Sequence, residues 1–180
     1  DQSWSIPDND TPIQHDNSGY SSSVITGRGN VSTVTRHNVQ ISESTTSKTK
    51  YNTAGSVEQT TDHLDHSVSI SYTDQFSANG ADLDSALGFS TLGYPTSVTD
   101  PDGFISRTRY NYAFGGTTRK QTPKPNETTT SAGNQNGPEQ VIEYYADGKL
   151  KKVRNTVNGA YTKYIYGPTY VEAFATVNSV

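Results

Sequence analysis

The chain has 180 residues, a net charge of −4 and a mean hydropathy of −0.75, with 30% hydrophobic residues and neither Cys nor Met. That balance excludes a disulfide framework or thiolate site and a basic nucleic-acid-binding stripe. It also excludes a membrane-spanning or signal-peptide apolar run. So little apolar side chain predicts a thin core, yet 12 Tyr, 5 Phe and a low net charge are unlike a disordered chain.

Ser and Thr make up roughly a quarter of the residues, far above average usage. Thr, Tyr and Val favour strands, and Gly, Asn, Asp and Ser favour turns. Composition therefore predicts an all-β fold with no convincing helix, in which strands bury one face and leave the other wet. The missing initiating Met points to a processed product or a piece of a larger chain, with any export signal removed or upstream.

Residues 1–20 are polar, contain Pro7 and Pro12, and read as an N-terminal arm. Residues 21–180 read as one β domain of internal repeats. Each repeat opens on a glycine followed by an alternating stretch, beginning at Gly29, Gly55, Gly93, Gly115 and Gly148. Glycine supplies the positive φ of a turn, and the stretch after it has the period of a half-buried strand. A tyrosine precedes several of these glycines. Tyr51 stands before Gly55 and Tyr144 before Gly148, while Tyr110 to Gly115 holds one extra residue. A second turn follows each strand, at residues 62–66, at 100–103 (with Gly103) and at 155–159. Return strands then end on tyrosine: Ser67 to Tyr72, Phe104 to Tyr112, and Ala160 to Tyr166. Tyr110 with Tyr112, and Tyr164 with Tyr166, are spaced to put two rings on one face, where they can stack across neighbouring hairpins. Long loops are expected at about 74–90 and 121–138, the second rich in Pro, Thr and Asn.

Over about residues 25–170 this pattern resembles the Rhs/YD-repeat family, whose signature is Tyr-Asp-x-x-Gly, a strand, an Asp-Pro-x-Gly-like turn and a return strand ending in Tyr-x-Tyr. Tyr51 to Tyr72 and Asp100 to Tyr112 match well, and Glu143 to Gly167 more loosely. Asn52, Asn111 and Tyr145 stand where Asp is usual, and Asp65 and His66 fall where a turn glycine is expected. The resemblance implies tandem irregular β-hairpins wound into an extended, twisted antiparallel sheet. It also implies a structural role within a large exported or cell-surface bacterial protein. The chain carries neither a toxin domain nor the family's Asp-rich autoproteolytic motif, so fold and structural role are carried over and no activity is.

Candidate chemistry is sparse. Asp62, His63, Asp65 and His66 are metal-capable types, but they sit where the repeat needs a turn. Asp100 and Asp102 fit part of a calcium loop, without its full twelve-residue pattern, and Asp-Pro-Asp-Gly is an ordinary turn sequence. His15, His37, His63 and His66 have no recognisable nucleophile partner, and there is no Gly-x-Ser-x-Gly elbow. No catalytic residue, metal site or cofactor is expected. Asn30 and Asn126 head glycosylation sequons. The expected partners are other copies of the chain or adjoining repeats of a larger parent. Two further functions are weighed beside the structural one: a self-assembling extracellular fibre joined through open β-edges, and an adhesin that binds surface glycans on a tyrosine face.

Overall fold

The structure is a computed structural model that describes residues 17–20, 29–73, 92–124 and 137–176. The described residues divide into two compact units, the first running to Gly103 and the second from Phe104. Apart from one helical turn, α1 (Asn17–Tyr20), the described residues form strands and turns.

The first unit holds β1 (Thr33–Asn38), β2 (Glu43–Tyr51), β3 (Val57–Thr61), β4 (Ser67–Ser71) and β5 (Ser97–Thr99). Each pairs antiparallel with the next in chain order. The second unit holds β6 (Ile105–Asn111), β7 (Gly116–Gln121), β8 (Glu139–Tyr144), β9 (Leu150–Asn155), β10 (Tyr161–Tyr166) and β11 (Val171–Ala175). It follows the same antiparallel meander. The all-β hairpin architecture expected from composition is therefore what the chain adopts. Within each unit every strand pairs with the next in sequence, across short turns and across the two long connections 72–96 and 122–138 alike.

The core is as thin as the hydropathy requires. Among the described residues Leu92 is the one buried apolar side chain, while Asn52 and Thr53 are the buried polar ones. Polar contacts between directly opposed residues do part of the work that apolar pairs do in richer sheets. Thr35 meets Thr46 at 3.1 Å, Thr61 meets Ser67 at 2.8 Å, and His37 Nδ1 lies 2.7 Å from Ser44 Oγ. Each is a direct cross-strand pair.

The turns repeat one design. At residues 52–56 the Gly55 N–H donates to the Asn52 carbonyl (3.0 Å) and the Asn52 N–H to that of Ser56 (2.9 Å). Gly55 has φ 84°, so this is a tight turn closed by a glycine in the left-handed region, with a bulge opposite it. The bulge falls between Lys50 and Tyr51 in the register. Residues 145–149 repeat both bonds around Gly148 (φ 81°), with the register shift between Glu143 and Tyr144. Residues 62–66 repeat them again with Asp65 (φ 65°) in the glycine's place. The 110–116 turn is one residue longer, as its sequence predicts. There the Gly115 N–H reaches Asn111, four residues back, at 2.8 Å.

Several details differ from the sequence reading. Tyr112 lies in that longer turn and not on a strand, because β6 ends at Asn111. It therefore does not share a strand face with Tyr110. At the 92–96 turn the left-handed residue is Leu92 (φ 54°) rather than Gly93. The loop expected at 121–138 is shorter. Gln121 belongs to β7, and Thr122 and Pro138 are joined by a 3.1 Å backbone bond. The Gly137 N–H donates to the Thr122 carbonyl there. A Cβ on Gly137 would lie 2.2 Å from the Pro123 carbonyl oxygen, so only glycine allows this close approach. The remainder of that loop, the 74–90 loop, Asn126, His15 and the arm other than α1 lie outside the described residues.

Candidate functional site

Tyrosine is the residue the sequence repeats most deliberately, and the structure gives it a recurrent bond. The Tyr51 hydroxyl donates to the Val31 carbonyl (3.0 Å), that of Tyr72 to Val57 (3.1 Å), and that of Tyr144 to Thr117 (2.8 Å). The three share one register. Tyr51 lies three residues beyond Lys48, which faces Thr33, and Val31 lies two before Thr33. Tyr72 and Val57 stand in the same relation to the pair Ser69–Gln59, and Tyr144 and Thr117 to the pair Val141–Arg119. Each acceptor is also the second residue after a repeat glycine: Gly29, Gly55 and Gly115. Thus the glycine that opens one strand and the tyrosine that closes the next are two ends of a single clip. The ring covers the adjacent strand while its hydroxyl satisfies a carbonyl at the strand's start.

Burial first pushes both the Tyr72 and Tyr144 phenols above their ordinary value of 10.0. At Tyr72 the Ser56 side chain pulls the other way and the Glu58 charge adds to the rise. Both therefore stay protonated, as donation requires.

Around the second unit's clip the rings gather. Phe114 meets Tyr144 edge to face at 4.9 Å between centroids, and Tyr145 meets Tyr166 at 6.0 Å. The Tyr145 hydroxyl donates to the Tyr164 carbonyl at 2.9 Å, and Lys149 Nζ lies 5.6 Å from the Tyr166 ring centre. A Cβ on Gly116 would strike the Phe114 ring at 2.2 Å, which explains the second glycine of that pair. A shallow groove of about 540 Å³ runs beside these rings, lined by Asn111, Phe114, Ile142, Tyr144, Tyr145 and Lys151 among others. With the Tyr144 and Tyr145 hydroxyls already committed to carbonyls, the groove offers ring edges, the Asn111 and Thr118 side chains, and Lys151 paired with Glu143 at 3.5 Å.

The metal-capable string does structural work. Asp62 Oδ1 accepts the Leu64 and His66 N–H groups at 2.8 and 2.9 Å, and Oδ2 lies 3.1 Å from His66 Nδ1. Desolvation raises the Asp62 pKa, but the backbone bonds from His66 and Leu64 and the His66 ring outweigh it and hold the carboxyl below its usual 3.8. Asp100 anchors the 100–103 turn, whose Gly103 (φ 87°) N–H donates to the Asp100 carbonyl at 3.0 Å. Among the described residues no three His, Asp or Glu side chains are brought together in a metal-holding group, so His63, Asp65 and Asp102 do not join Asp62, His66 or Asp100 in one. Ser44 is the contact the sequence reading missed for His37, and only the β1–β2 register reveals it. Both residues are exposed, and no carboxylate orients the ring among the described residues.

Solved structures similar to the chain include the crystal structures of TcdB2-TccC3-Cdc42 and TcdB2-TccC3-TEV, at 13% and 14% identity and a TM-score of 0.35 in each case. They match 73% and 74% of this chain, which spans 7% of the length of each. No family model matches the chain, and no curated protein does. No helix among the described residues is long and apolar enough to cross a membrane.

Proposed function

We propose that the chain is a non-catalytic structural module of YD-repeat type, a scaffold or shell segment of a larger secreted or cell-surface bacterial protein. The observation that carries this reading is the clip, in which one tyrosine-to-carbonyl bond recurs at one register in three hairpins. The bond ties together the two strands of one hairpin, so each repeat carries its own clip, as expected where similar units recur along a repeat chain. Asp62 and His66 are engaged in their turn, and Tyr51, Tyr72 and Tyr144 in clips.

The test uses an antibody raised against the 180-residue chain and applied to the producing cells. The reading predicts a band far heavier than 19.5 kDa that disappears when intact cells are treated with an external protease. A band that survives such treatment alongside a cytoplasmic marker contradicts the exported placement. A band at the chain's own mass contradicts the larger parent.

A further inference from the structure

The net charge of −4 hides an uneven distribution. Residues 1–103 carry 4 Lys and Arg against 13 Asp and Glu, a net −9, while residues 104–180 carry 10 against 5, a net +5. The register decides where the second unit's cations lie, because directly opposed residues share a sheet face. Arg109 opposes Arg119, Arg119 opposes Val141, Val141 opposes Arg154 and Arg154 opposes Tyr161, in one row across β6 to β10. Two residues along the strands, on the same face, Glu143 opposes Lys152 and Lys152 opposes Lys163. The register shift after Glu143 leaves Lys151 with no opposite of its own, and its ammonium turns to the Glu143 carboxylate at 3.5 Å.

Two like-charged pairs, Arg109 with Arg119 and Lys152 with Lys163, are therefore directly opposed, an arrangement that costs stability. Counter-charge on this face is scarce. Glu139 takes Arg119 at 3.4 Å, Glu143 takes Lys151, and Lys152 Nζ sits 4.4 Å from the Tyr161 ring centre. Glu172, diagonal to Lys163 on β11, makes no ion pair among the described residues. Neither do Arg109, Lys152, Arg154 and Lys163, and of these Arg109, Arg154 and Lys163 are exposed. A hollow of about 320 Å³ opens between Glu143, Lys151, Lys152, Tyr161 and Lys163, within the size range of small-ligand sites.

We propose that this face of the second unit binds an acidic polysaccharide, a hydroxyl-rich chain bearing carboxylate or sulfate groups. Arg109, Lys152, Arg154 and Lys163 hold its charges, and the hollow beside Tyr161 seats one sugar unit. An anion set between opposed cations removes a repulsion that the fold otherwise carries. The carboxylates select the class. Glu139 and Glu143 accept hydrogen bonds from hydroxyls, which a polysaccharide supplies, whereas they repel a run of phosphates. Single-stranded nucleic acid binds on successive exposed rings, and the two rows from β6 to β10 hold one ring, Tyr161, with a lysine over it. An extended acidic peptide gains most from main-chain bonds along a sheet edge, and this site is made of side chains on a sheet face.

The proposal goes beyond the structural-module reading and does not depend on it. Its test is a binding titration of the full chain against two probes, heparin for sulfate and polygalacturonate for carboxylate, beside dextran, poly(dT) and polyglutamate. Wild type is expected to bind one or both acidic polysaccharides, and the probe that binds names the anionic group. Arg154→Gln/Lys163→Gln should weaken that binding about tenfold. It should melt no lower than wild type, since it relieves the Lys152–Lys163 repulsion. Arg36→Gln/Lys120→Gln removes the same charge from the first unit and from the opposite face of the second, and should bind as wild type does. Failure to bind either acidic polysaccharide overturns the proposal. So does dextran binding as tight, or tighter binding of poly(dT) or polyglutamate than of both acidic polysaccharides. Equal losses in the two double variants overturn it as well, because net charge alone would then account for binding. None of these outcomes touches the structural reading, whose own failure is read on the producing cells.

Discussion

The Tyr144 hydroxyl donates to the Thr117 carbonyl at 2.8 Å, from the last residue of one strand to the second residue of the one before it. The same register, though not the same strand ends, joins Tyr51 to Val31, two residues before β1, and Tyr72, one residue past β4, to Val57, the first residue of β3. Tyr144→Phe keeps the ring against Phe114 and removes only the bond, so the variant should lose about 1 kcal/mol in urea unfolding. Tyr144→Ala, which also loses the ring, should lose about 3 kcal/mol.

The clips carry a pH signature. Burial raises the folded-state pKa of Tyr72 and Tyr144 above 10.0. A raised pKa means that the folded state holds its proton more tightly. The associated stability is thus fully present below pH 10 and is lost as pH rises through the folded values. Melting temperature measured upward from pH 9 should fall once pH passes 10, and Tyr72→Phe/Tyr144→Phe should flatten that fall.

At the acid end the sign reverses. Asp62 is held below 3.8 by the backbone bonds of its turn, which outweigh desolvation, and Asp147 by the Lys149 ammonium 2.7 Å away and by the Lys149 N–H. A depressed pKa gives stability that is present above 3.8 and lost as pH falls through the folded value. Asp62→Asn should show a shallower decline in melting temperature below pH 4 than wild type.

Asp65 occupies a position where Gly55 and Gly148 stand in the two sister turns, and it pays for its Cβ at φ 65°. Asp65→Gly should raise stability by about 0.5 kcal/mol. Gly137→Ala should do the reverse, by roughly 1–3 kcal/mol, since its Cβ would meet the Pro123 backbone. Thermal melts of the two variants check both signs.

Much of this organisation was legible in the residues. Gly55, Gly115 and Gly148 mark turns because only glycine sits comfortably at their φ, and Tyr51 and Tyr144 mark strand ends because the clip needs a long aromatic with a terminal donor. The strand β2 was harder to see, since Glu-Ser-Thr-Thr-Ser-Lys-Thr-Lys carries no apolar alternation and forms through register with β1 and β3. Tyr112 was misplaced because alternation in sequence does not reveal where a strand stops, and the extra residue before Gly115 pulled it into the turn. Gly93 was overtaken by Leu92, which takes the left-handed conformation while being the most buried apolar side chain described. The acceptors Val31, Val57 and Thr117 were invisible as such, because a carbonyl acceptor leaves no trace in side-chain identity.

The most direct test of the account is urea unfolding of the triple variant Tyr51→Phe/Tyr72→Phe/Tyr144→Phe beside wild type. If the clips hold the hairpins together, the variant loses roughly 3 kcal/mol, about 1 per bond, and its transition moves to lower urea with the ring contacts still in place. An unchanged midpoint would contradict the claim that the repeated tyrosines serve as interstrand clips.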